Sequence, residues 1–90
     1  MVELTDLQFS ILDVLYFVEP FDKILEEVRE PENLVAAELR QLISARWVQP
    51  MQFDPRFQDY VRSSLHDTDD LRAYHYLATR EGLLMHSGRG

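Results

Sequence analysis

Apolar residues recur every three or four positions through "LTDLQFSILDVLYFVEP", putting Leu4, Leu7, Ile11, Leu12, Leu15 and Val18 on one side of the chain. This is the period of a helix with one buried face, and it predicts a first helix over 5–19. Thr5 is placed to cap it, Gln8 three residues on completes a capping box, and Leu4 can pack against Phe9 as a staple. Pro20 should end the helix, because a residue before proline is biased away from helical dihedrals. Phe9, Tyr16 and Phe17 widen the apolar face beyond one stripe and are candidates for a subunit interface, although a helix at the centre of a small core has the same pattern.

The next period is shorter. Ile24, Leu25 and Val28 alternate with Lys23, Glu26, Glu27 and Glu30, which predicts a second helix over 23–29 with Asp22 as its cap. After the break "REPEN", Val35, Leu39, Leu42 and Ile43 turn inward in a third helix over 33–45, while Glu38, Arg40 and Gln41 turn outward. So short a break makes the two helices cross at an angle. Trp47 and Val48 favour extended, half-buried positions and open a strand over 47–53. In "DPRFQDYVRSSLHD" the residues Phe57, Tyr60, Val61 and Leu65 fall at roughly helical spacing, and Pro55 suits a first turn. A short helix over 56–64 is the reading taken, with strand and loop as the alternative. "LRAYHYLA" alternates as a strand over 71–77, and Thr79 can cap a last helix over 80–86 with Gly82 at its third position.

The pattern is that of one α+β domain spanning 1–90, three helices followed by a small sheet and a terminal helix. Leu7, Ile11, Leu15, Leu25, Val28, Val35, Leu39, Leu42, Trp47 and Leu83 are its expected core. Ninety residues support one modest core. With no cysteine there is neither a disulfide scaffold nor a thiolate metal site. No apolar run reaches the roughly 20 residues of a membrane span, so a cytoplasmic protein without membrane contact is expected.

Charge changes the picture more. Sixteen acids against nine lysines and arginines leave a net charge of -7, which opposes non-specific nucleic-acid binding. Residues 1–32 hold nine of the acids and two of the basic residues, so the acidity belongs to the first two helices. Residues 33–66 hold three acids and four arginines. The stretch available to a partner is therefore close to neutral.

Three stretches carry a family likeness: "LTDLQFSILDVL", "AAELRQLISARWVQP" and "YHYLATREGLLM". In this order they resemble the first helix, the recognition helix running into the wing, and the last wing strand with its Thr-x-x-Gly helix start, of winged helix-turn-helix domains in bacterial transcription regulators of the multiple-antibiotic-resistance regulator type. The resemblance implies a winged-helix fold and a third helix that meets the major groove. It puts Asn33, Ala37, Arg40 and Gln41 near base edges, with Arg46, Arg56, Arg62 and Arg72 as further candidate DNA contacts. Arg46 stands where the family usually has glycine, so a positive φ there would strain it. "DTDD" lies where such a wing would offer basic residues, and it repels phosphate.

Chemistry beyond binding has little to work with. His66 beside Asp67, Asp69 and Asp70 could offer metal ligands, but an exposed polar turn has the same composition. Ser63 and Ser64 lack a nucleophile elbow, and Glu26-Glu27 are adjacent and diverge on a helix. Gly82, Gly88 and Gly90 do not form a phosphate cradle. The expectation is a non-enzymatic protein with no metal and no cofactor.

Aromatic content favours a protein partner. Five phenylalanines, four tyrosines and one tryptophan are generous for so small a core, and such rings are favoured in interface centres. Phe9, Tyr16, Phe17, Phe57, Tyr60, Tyr74 and Tyr76 are the candidate interface residues. The reading is a winged-helix-like protein-interaction module whose partner is another protein or its own copy as a homodimer; a DNA-binding transcriptional regulator is the alternative. The helical register is open to test: Leu39→Ala should cost about 2–5 kcal/mol, and a urea midpoint moved no further than by Gln41→Ala would refute it.

Overall fold

The computed structural model describes residues 3–63 and 69–89. In chain order they form α1 (Asp6–Val14), β1 (Glu19–Pro20), α2 (Phe21–Val28), α3 (Glu32–Ser44), β2 (Val48–Asp54) and β3 (Asp59–Arg62). A 3₁₀ turn (Leu71–Ala73), β4 (His75–Ala78) and α4 (Arg80–Arg89) complete it. Three N-terminal helices, a small antiparallel sheet and a short C-terminal helix make an α+β domain of winged-helix-like topology, as the pattern predicts.

Thr5 and Gln8 form the full capping box of α1, each side chain bonding the other's backbone amide. The helix then stops at Val14, well short of the residue 19 expected from periodicity. The Leu15 carbonyl accepts the amide of Ala78 in β4, and Glu19 and Pro20 pair with Tyr76 and His75. The sheet takes residues that local pattern assigned to helix. Pro20 is tolerated because its strand lies at the sheet edge.

Helix α2 starts directly after Pro20, two residues earlier than expected. Asp22 lies in its first turn and is not the cap. Phe21 is buried there, a core position the period did not single out. Arg29 closes the helix in the left-handed region, with φ 59.

The sheet order is β1-β4-β2-β3. Val48 and Pro50 face Ala78 and Tyr76 across the β2–β4 ladder, and all four turn inward against the helices. Beneath them lie Ile11, Leu12, Leu15, Ile24, Val35, Leu39 and Leu42, all with no exposed surface. Leu7, Leu25, Val28, Trp47 and Leu83 are partly buried at the margin of this core.

Two further expectations need correction. The helix expected over 56–64 is absent over its described part: residues 55–58 form a turn and Asp59–Arg62 form β3, paired with Met51–Asp54. Local bonds decide this. The Phe57 amide donates to the Asp54 carbonyl and the Arg56 amide to the Asp54 carboxylate, Pro55 has the fixed φ that the second residue of such a turn needs, and Gln58 reverses the chain at φ 51. The strand expected over 71–77 begins later, after the 3₁₀ turn. The buried Tyr76 hydroxyl donates to the Leu71 carbonyl at 2.7 Å and ties that turn beneath β4.

The last helix, Arg80–Arg89, runs further than 80–86. Its start is welded to the end of α3. Trp47 and Arg46 donate their amides to the Leu42 and Ile43 carbonyls, closing α3 with Arg46 in the left-handed region at φ 66. The Thr79 hydroxyl donates to the Arg46 carbonyl and accepts from the Gly82 amide, while the Trp47 carbonyl accepts the Thr79 amide. A Cβ on Gly82 would collide with that carbonyl oxygen. Helix propensity alone says Gly82→Ala should gain about 1 kcal/mol. Collision with backbone predicts the opposite sign, a loss of about 1–3 kcal/mol, read as a lower urea midpoint.

Candidate interaction surface

The inner face of the sheet is filled by the core, and its other side faces away from the helices. Gln49, Met51 and Phe53 alternate with the inward residues of β2. Directly opposite them stand Leu77 and His75 of β4 and Arg62 and Tyr60 of β3, and directly opposed residues share a face. The Tyr60 hydroxyl lies 3.3 Å from His75 Nε2, and the two rings meet across β2 at 4.6 Å. Phe53 packs edge-on against Tyr60 yet stays 54% exposed. At the hairpin tip Phe57 is 69% exposed.

Towards its other end this face deepens into a groove of about 940 Å³. The end of α3, the first half of β2, the end of β4 and the start of α4 enclose it. Ile43, Met51 and Leu77 contribute apolar surface, and Arg46, Arg62 and Arg80 contribute charge.

The candidate DNA contacts divide by environment. Asn33, Ala37, Arg40 and Gln41 share the exposed side of α3. Arg40 also lines a small recess with Glu32, Asp69, Asp70 and Arg72, so acids adjoin it. Arg72 is committed inside the protein: Nη1 and Nη2 hold both Glu32 oxygens at 3.0 and 2.8 Å, and Nε holds Asp22 at 2.9 Å. Its guanidinium also lies 5.3 Å above the Phe21 ring. Arg56 makes a two-pronged pair with Asp54 at the wing tip. Arg46 and Arg62 remain exposed without an ion pair among the described residues.

Among the candidate interface rings, Tyr76 is fully buried and Tyr74 is 8% exposed; both belong to the core and are not interface residues. Alternation misreads this end of the chain because β4 starts after the 3₁₀ turn and Tyr76 faces the helices. Phe9 is half-buried, its ring stacked on His86 at 4.2 Å. Tyr16 Oη lies 2.8 Å from His86 Nδ1. Asp13 Oδ1 is 3.2 Å from Nε2, close enough to pair with an imidazolium but not aligned as a hydrogen bond. This array joins α1 to α4. Phe17, in the connection to β1, is 76% exposed.

Phe53, Leu77 and Arg80 were not singled out by the sequence pattern, and His75 was expected to turn inward. The alternation in "VQPMQFD" carried the signal for Phe53, once Val48 is known to face inward. The others needed the register between β2 and β4.

His66 and Asp67 lie outside the described residues, as do Ser64 and Gly90. Among the described residues no three histidine, aspartate or glutamate side chains gather where they could hold a metal ion. No helix among them is long and apolar enough to cross a membrane. Compared with protein-family models, curated proteins and solved structures, the chain gives no significant match.

The Arg72 clamp makes stability depend on acid. Its hydrogen bonds hold the Glu32 carboxyl below its ordinary value of 4.5, and Arg56 lowers Asp54 in the same way. A carboxyl depressed by folding contributes stability above its unfolded pKa and loses it as pH falls through the folded one. The melting temperature should therefore drop as pH is taken below 4.5, and Glu32→Gln should flatten that drop while lowering stability at neutral pH.

Proposed function

We propose that this is a non-catalytic protein-interaction module that works through the outer face of its sheet and its aromatic wing. One observation carries the reading: Phe53 and Phe57 stand exposed on a wing whose one tip arginine is neutralised by Asp54. Exposed rings beside a polar rim suit a protein partner, and a wing tip without free positive charge gives phosphate nothing to bind. The partner is another protein or a second copy of the chain.

A second reading is a DNA-binding transcriptional regulator that uses α3. The exposed set Asn33, Ala37, Arg40 and Gln41 on a winged-helix-like scaffold favours it, as does the resemblance to regulators of the multiple-antibiotic-resistance type. Against it stand the net charge of -7 and the acids beside Arg40, because base readout needs phosphate contacts to hold the helix in place.

Two assays run side by side separate them: selection of phage-displayed random peptides on the immobilised protein, and mobility shift of duplex DNA. Selected peptides should bind, and Phe53→Ser with Phe57→Ser should weaken them about tenfold or more, with duplex unshifted at about 0.1 M salt. A submicromolar shift of a defined duplex, lost on Arg40→Glu, would transfer the function to DNA.

A further inference from the structure

We infer that the groove at the arginine end of the outer sheet face receives an acidic protein segment carrying an aliphatic anchor. This rests on the reading of that face as an interaction surface and names the chemistry of its partner.

The first support is the distribution of paired and unpaired charge. Lys23 pairs with Glu27, Arg56 with Asp54, and Arg72 with Asp22 and Glu32. Arg29, Arg46, Arg62 and Arg80 have no carboxylate partner among the described residues; Arg29 caps α2, and the other three line one groove. Acids outnumber lysines and arginines sixteen to nine in this chain, yet among the described residues only Glu81 brings negative charge to the lining. Three arginines without a carboxylate partner along one concavity favour an anionic occupant. Each presents a planar fork that matches a carboxylate.

The second support is the floor. Ile43, Met51 and Leu77 offer aliphatic surface, and among the described residues no aromatic ring lines the groove. A nucleobase would find nothing to stack on, whereas a leucine or isoleucine side chain would be desolvated. Arg62 comes from β3, while Arg46 and Arg80 come from the helix ends beyond β2 and β4. The positive charges therefore bracket the apolar floor, and the complementary segment has acids on both sides of an aliphatic residue.

The test uses the full chain. Peptides enriched by display are synthesised with a fluorophore and titrated by anisotropy at several salt concentrations. The enriched sequences should carry aspartate or glutamate flanking leucine, isoleucine or valine, and their affinity should fall with salt. The triple variant Arg46→Gly, Arg62→Gln, Arg80→Gln should weaken them about tenfold or more. Arg46→Gly removes the strained φ, and melting by circular dichroism checks the fold. Should the triple variant not fold, Arg62→Gln alone, on an exposed strand position, should still reduce affinity and its salt dependence. Enriched peptides that lack acids, or that keep their affinity in the arginine variants and lose it on Phe53→Ser with Phe57→Ser, would overturn this partner chemistry and leave the module reading standing. Self-association in light scattering that the triple variant abolishes would assign the groove to a second copy and overturn the proposal. No enrichment, with oligo(dT) or duplex bound through the same arginines, would overturn both.

Discussion

The fold depends on how α3 ends. A helix must satisfy its last carbonyls, and here Arg46 and Trp47 do so by folding back onto Ile43 and Leu42. That reversal aims the Trp47 carbonyl outward, where Thr79 and Gly82 meet it. The same residues thus start β2, receive the end of β4 and seat the first turn of α4. Without this junction β2 and β4 would have no common origin and the sheet no register against the helices.

Charge is used in two ways. Arg72 and Arg56 are spent on internal geometry: Arg72 ties the starts of α2 and α3 to the turn before β4, and Arg56 rigidifies the wing hairpin. Such exposed pairs contribute modest stability, and their larger effect is to remove positive charge from where a nucleic-acid binder would display it. Arg46, Arg62 and Arg80 are left outside these pairs along one groove, and Arg29 at the end of α2 is outside them as well. The acidic first third, away from that groove, repels polyanions from most of the molecule.

The wing departs from a simple two-stranded connection. The Asp54–Phe57 turn creates an extra edge strand, β3, which widens the outer face and brings Tyr60 over β2 to His75. The added strand turns a narrow hairpin into a surface broad enough for side chains from three strands. Phe53 and Phe57 lie at its far end, the arginine groove at its near end, and the half-buried Tyr60 and His75 join them.

Local pattern determined much of this protein. The three-to-four residue period placed α1, α2 and α3, the Thr5–Gln8 pair located the first cap, and Thr79 with Gly82 located the last. The exposed set on α3 was legible because helical faces follow from spacing alone. Tertiary structure decided the rest. Residues 15–20 have helical apolar spacing, but β4 claims the Leu15 carbonyl and pairs with Glu19 and Pro20. Tyr74 and Tyr76 alternate like half-exposed strand residues, but the 3₁₀ turn delays β4 and the core takes both. The groove is the clearest case. Arg46, Arg62 and Arg80 are far apart along the chain and share no spacing rule, and only the register of β2 against β3 and β4 brings them together, because pairing between distant strands has no local sequence code.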